Sequence, residues 1–122
     1  MTEITDDERI AIADAYLQAL LTHDGASVRF HPKAVRHEAG IKTGFSGPHL
    51  TRSLTHGPQF RLVSGLREKE WSVDGDNLVV DYLLDAKVFG RKLKPLRIHE
   101  VFAIPVEDPR IRRIDVRFSR RR

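Results

Sequence analysis

The sequence predicts an α+β domain in which a cone-shaped, curved antiparallel sheet wraps around a long N-terminal helix. Three observations predict it. Apolar residues recur at helical spacing near the N-terminus; after Gly57-Pro58 the apolar period drops from about 3.6 residues to 2; and turn-forming clusters cut the second half into strand-length pieces. Helices first and strands afterwards is the order of an α+β layer architecture.

The first helix is expected over residues 6–23. Thr5 and Glu8 have capping-box spacing, Ile10, Ala13, Leu17, Leu20 and Leu21 form an apolar stripe widened by Ile12, Tyr16 and Ala19, and Gly25 suits a C-terminal cap. A short helical turn covers residues 26–30 and stops at Pro32, and residues 33–39 form a short strand. In the stretch "SGPHLTRSLTHGP", Pro48 suits a first helical position and Gly57-Pro58 a stop, so a second full helix spans 48–56. A long strand follows over 59–73, bulged near Gly65 because Phe60, Leu62 and Leu66 share one parity while Trp71 and Val73 take the other. "DGDN" turns the chain into a strand over 78–89, "FGRK" into 93–104, and "EDP" into a last strand buried through Ile114, Val116 and Phe118. The expected order is α-α-β-α-β-β-β-β.

Residues 1–122 read as a single domain with one core and a basic tail at 119–122, since no linker or repeat divides them. Forty per cent apolar and 31 per cent charged is a soluble globular composition. The most apolar window, Leu78 to Leu84, is interrupted by Asp81, so neither a membrane span nor a signal peptide is expected, and cytoplasm is the default. The absence of cysteine excludes disulfides, thiolate nucleophiles and thiolate metal sites. Charge is uneven: residues 110–122 hold seven Arg and one Asp, +6 of a net +4, leaving −2 for the rest. Such an end suits nucleic acid, acidic protein or anionic lipid, or is simply a solvated strand and tail.

Six histidines supply no metal site. His49 and His56 are two helical turns apart, roughly 10 Å, and no other pair has ligand spacing, so neither metal nor cofactor is expected. "GIKTGFSG" has the wrong spacing for a phosphate loop, and no serine sits in a nucleophile elbow. His37 and His99 fall on the strand face opposite their neighbouring glutamates.

The informative residue is Glu100. In "PLRIHEVFAI" it shares a strand face with Leu96, Ile98, Phe102 and Ile104, and an unpaired buried charge is costly enough to neutralise or find a partner. Either the carboxyl sits in a pocket as a neutral acid, or it reaches water through a local parity break, or it pairs internally with a base such as Arg36. A twisted sheet around one helix leaves a concave interior, where small ligands bind.

The element order, together with "DAYLQALLTHDGASV" at 14–28, "AVRHEAGIKTGFSGPHLTRSL" at 34–54 and the terminal meander, resembles the nuclear transport factor two-like superfamily in its SnoaL-like and ketosteroid-isomerase-like branch. The resemblance covers nearly the whole chain. It implies a pocket holding a tyrosine from the first helix, a carboxylate base from the first strand and a protonated acid from a later strand. Matched motif to motif, these are Tyr16, Glu38 and Glu100, with Arg36, Leu20, Phe60, Tyr82 and Phe102 as substrate-binding candidates. Both carboxylates are Glu where those isomerases carry Asp, and Arg36 shares the face of Glu38, where an ion pair lowers basicity. The resemblance also implies a homodimer paired through the outer sheet face, for which Trp71, Val79, Leu83 and Phe89 would supply an apolar patch.

Three function classes follow. The first is an enzyme moving protons on a small apolar carbonyl compound, isomerase- or lyase-like, with Glu38 as base and Tyr16 and neutral Glu100 on the oxyanion. The second is a ligand-binding or dimerising module without turnover. The third is an interaction protein whose basic end, with Lys87, Arg91, Lys92 and Lys94, meets an anionic polymer; with Phe118 the one aromatic of the tail, nucleic-acid stacking is poorly supported.

Overall fold

A computed structural model describes residues 4–119. Helix α1 (Asp6–Thr22) begins with the capping box: Glu8 N–H donates to Thr5 Oγ1 at 3.1 Å and Thr5 N–H to Glu8 Oε1 at 2.9 Å. Its buried stripe is Arg9, Ile12, Ala13, Tyr16, Leu17, Ala19 and Leu20, rotated slightly from the expected one so that Ile10 and Leu21 flank it. The C-terminal cap is His23, at φ +62°, and not Gly25. Gly25 serves close approach instead, because a Cβ there would collide with the Thr51 carbonyl.

After a 3-10 turn at Gly25–Ser27 come strands β1 (Phe30–Glu38) and β2 (Ile41–Gly44), helix α2 (Gly47–His56), and a second 3-10 turn at Pro58–Leu62. The meander is β3 (Val63–Asp74), β4 (Asn77–Val88), the short β5 (Arg91–Lys92), β6 (Leu96–Ala103) and β7 (Ile111–Ser119). The sheet order is β2-β1-β7-β6-β4-β3, with β5 extending the β4 hairpin. Two helices and a large curved, unclosed sheet give the cone expected of the nuclear transport factor two-like fold.

Five local expectations need correction, the simplest being Phe118, which is expected on the buried face of the last strand and is 51% exposed. The sheet is mixed: β1 lies parallel to β7, with Arg36 opposite Ile114 and Glu38 opposite Val116, because the chain crosses over through α2 and the meander before β7 returns beside β1. Residues 41–44, read as loop, are the second arm of a hairpin turning at Ala39 and Gly40, φ +52° and +82°. Phe60 is in the 3-10 turn and not in a strand. Trp71 points inward, because a second irregularity between Arg67 and Glu70, with Glu68 at φ +58°, flips the parity; its ring packs 6.3 Å from Phe102. That removes it from the outward patch, whose remaining strand members Val79 and Leu83 are half-buried, while Phe89 sits in a hairpin turn. Ser119 still belongs to β7, and the rest of the expected basic tail lies outside the described residues.

The core fills the cone between α1 and the even-numbered positions of β4, β6 and β7: Leu78, Val80, Tyr82, Ile98, Phe102, Ile114 and Val116. No helix among the described residues is long and apolar enough to cross a membrane.

Candidate functional site

Strand alternation brings Glu100 to the inner face with Ile98 and Phe102, and its carboxyl is 1% exposed. Tyr82 shares that inward parity on the neighbouring strand, two residues from Glu100's register partner Val80. Such diagonal neighbours reach one another across a sheet. The Tyr82 hydroxyl donates to Glu100 Oε1 at 2.7 Å.

From β1, Arg36 and Glu38 point inward two residues apart. Arg36 is 2% exposed. Its Nη1 donates to the Tyr16 hydroxyl oxygen at 3.1 Å, its Nε to Thr43 Oγ1 at 3.1 Å, and its guanidinium lies 5.4 Å from the centroid of the Phe60 ring. Thr43 comes from β2, which can press against β1 because Gly44 faces both Leu50 and the Arg36 side chain, where any Cβ would collide. Glu38 Oε1 stands 3.9 Å from Arg36 Nε, an ion pair without a hydrogen bond, and its side chain is 35% exposed. The Tyr16 ring is gripped edge-on by Phe30 and Phe102, at 6.2 and 5.5 Å.

A cavity of about 330 Å³ opens onto these groups. Tyr16, Glu38, Tyr82 and Glu100 form its polar floor, and Leu20, Phe60, Ile98, Leu96, Val116 and Phe118 are among its apolar walls. The sequence-derived candidates Tyr16, Glu38, Glu100, Leu20, Phe60 and Tyr82 therefore share one void. Two candidates stand behind its wall: Arg36, which reaches the site through Tyr16, and Phe102, fully buried against Tyr16 and Trp71. Thr43 escaped the sequence reading; its signal is the alternation within a hairpin whose Ala39-Gly40 turn is not an obvious one. The concavity of about 440 Å³ beside Phe30 and Pro48 contains no carboxylate or histidine, and one of about 370 Å³ contains Asp85, which is held by Arg67.

Burial pushes the Glu100 carboxyl up to about 7, against the opposing hydrogen bond from Tyr82 and the charge of Arg36; Glu38 pushes the same way as burial. Burial also raises the Tyr16 phenol, with Arg36 pulling it back, and raises Tyr82, whose neighbour Glu100 adds to the effect. At neutral pH the floor thus contains two phenols that keep their protons and a carboxyl balanced between its acid and base forms. Tyr16 accepts from Arg36, so its own proton is free for the cavity. Glu100 Oε2 has no hydrogen-bond partner among the described residues. No group of three or more His, Asp or Glu among the described residues could hold a metal ion.

A family model described as a domain of unknown function, DUF8021, matches residues 3–118. The chain belongs to that family. No curated protein matches this DUF8021 domain. Solved structures share its fold at low identity. An LEH-like epoxide hydrolase from M. tuberculosis superposes with a TM-score of 0.74 at 19% identity, over 93% of this chain and 84% of that one. A putative SnoaL-like polyketide cyclase from Shewanella denitrificans gives 0.68 at 14%, over 91% and 90%. A protein of ketosteroid isomerase-like fold from Catenulispora acidiphila, solved in complex with trimethylamine, gives 0.68 at 8%, over 86% and 82%. At these identities the likeness concerns the fold.

Proposed function

We propose that this DUF8021 domain performs acid–base chemistry on a small, largely apolar carbonyl compound held in the cone. The observation that supports this most directly is Glu100: a buried carboxyl, raised to about 7, facing the same void as a phenol with a free proton and a part-exposed carboxylate. In this reading Glu38 takes a proton from the carbon beside the carbonyl. Tyr16 and protonated Glu100 donate hydrogen bonds to the oxygen, where negative charge then develops. Arg36, donating to the Tyr16 oxygen, makes that phenol a stronger donor as the charge grows. Returning the proton to another carbon gives isomerisation, and loss of a β-substituent gives elimination. The same acid and base would serve epoxide opening, with Glu100 protonating the ring oxygen and Glu38 activating water, so small apolar epoxides belong in the substrate panel beside ketones.

The Arg36–Glu38 pair at 3.9 Å favours a second reading, a recess that binds a polar head group without turnover. Hydrogen–deuterium exchange at the α-carbon of bound ketones separates the two. The proposal expects exchange that falls roughly a hundredfold in Glu38→Gln and in Glu100→Gln. Binding in a thermal-shift screen with no exchange would assign the domain to the second reading.

A further inference from the structure

The rim of the cavity is built differently from its floor. Leu62, Leu93 and Phe118 line its mouth and are 44%, 47% and 51% exposed. From Ala86 and Leu93 the β4–β5 hairpin runs outward, pairing Lys87 with Lys92 and Val88 with Arg91, and turns at Phe89-Gly90. Both turn residues have positive φ, +50° and +77°. That geometry favours Asn-Gly, and a residue with a Cβ and bulky ring is strained in it. Phe89 is nevertheless there, with a relative exposure of 101%, so no packing offsets the strain.

The surrounding charge has one sign. No acidic residue occurs between Ala86 and His99, whereas Lys87, Arg91, Lys92, Lys94 and Arg97 do. Lys92 acts on Asp85, but Lys87, Arg91 and Lys94 have no ion pair among the described residues. Three of the four described arginines leading into and along β7 contrast with these: Asp108 holds Arg110 and Arg112, and Asp115 holds Arg113, while Arg117 has no ion pair among the described residues. Three cations without an ion pair thus flank a projecting phenyl ring at the open end of an apolar cavity, although Arg29, Lys33, Arg52 and Arg61 are likewise unpaired elsewhere on the described surface.

We propose that the hairpin and the cavity mouth dock on an anionic lipid surface, with Phe89 in the acyl boundary and the flanking cations on the headgroups, so that the cavity takes its apolar ligand from the bilayer. Positive charge around an exposed aromatic suits the negative surface potential and the apolar layer beneath it. A nucleic acid would find cations here but two rings, Phe89 and the half-exposed Phe118, in a rim otherwise made of Leu62 and Leu93, with no row of platforms for bases. The proposal does not depend on the chemistry at the cavity floor.

Co-sedimentation of the full chain with vesicles of phosphatidylcholine alone, or of equimolar phosphatidylcholine and phosphatidylglycerol, tests it. Binding is expected to the anionic vesicles only, and to weaken as salt is added. Phe89→Asn, which suits the turn and leaves the unfolding temperature unreduced, is expected to weaken binding roughly tenfold. Replacing Lys87, Arg91 and Lys94 together by Ala is expected to weaken it roughly a hundredfold. Failure to sediment with anionic vesicles at low salt would overturn the proposal. So would unchanged binding of both variants, which would assign the attraction to the C-terminal arginines. A dimer in sedimentation velocity that dissociates in Phe89→Asn would also overturn it, by assigning the ring to a second copy.

Discussion

Arg9 and Arg36 are both almost wholly buried, at 1% and 2% exposed, yet the protein uses their charges in opposite ways. Arg9, near the start of α1, donates Nε to the Ile104 carbonyl at 3.0 Å, Nη2 to the Gly75 carbonyl at 2.8 Å and Nη1 to Asp6 at 3.1 Å. It ties the helix to the β3–β4 turn and the end of β6, using each nitrogen on a fixed oxygen. Arg36, nearer the cavity, meets a phenol and a distant carboxylate that both face the void, and from Thr43 it takes the hydroxyl and, at 3.4 Å, one backbone carbonyl. A buried charge matched to backbone carbonyls holds the fold. One matched to ionisable side chains that open on a void tunes a site.

The largest expected effect tests the first half of that contrast. Arg9→Met leaves the buried Ile104 carbonyl and the part-buried Gly75 carbonyl without these donors and should lower unfolding stability by about 3 kcal/mol in urea denaturation. Arg36→Met removes a charge whose burial is costly and whose partners are mostly neutral, so it should cost only about 1 kcal/mol. Equal losses would erase the distinction.

The pH dependence of stability sharpens the other half. Glu100 keeps its proton up to about pH 7 when folded and to about 4.5 when unfolded. Between those values the folded chain holds the extra proton, so stability contributed by this group is present below pH 4.5, falls as pH rises to 7, and is level above. The fall should be on the order of 3 kcal/mol. Glu100→Gln should remove that slope in denaturation curves measured between pH 4.5 and 8, and should leave the cost of Arg9→Met unchanged. Tyr82→Phe should also cost only about 1 kcal/mol at acid pH, and should raise the Glu100 titration further because the bond at 2.7 Å favours the carboxylate.

Much of the site was legible because two signals were local. The capping box at Thr5 and Glu8 positioned α1 and so Tyr16, and strict alternation in β6 turned Glu100 inward. What escaped depends on pairing between distant segments. The parallel contact of β1 with β7, which carries Arg36 and Glu38 beside Val116, has no local pattern. Neither does the inward turn of Trp71, which follows from an irregularity at Glu68, a residue not expected at positive φ. Arg9 was missed because a charged residue at the head of an apolar stripe looks like a solvated flank until Ile104 and Gly75 are seen above it. The hydrogen bond from Tyr82 to Glu100 needed the β4–β6 register, although the shared parity of the two residues points to it.

The account rests on Glu100 acting as a neutral acid in the cavity near physiological pH. Carbon-13 NMR of glutamate-labelled protein, with Glu100→Gln to assign the carboxyl resonance, reads this directly. A titration midpoint of about 7 is expected, and a midpoint at the ordinary 4.5 would contradict the account.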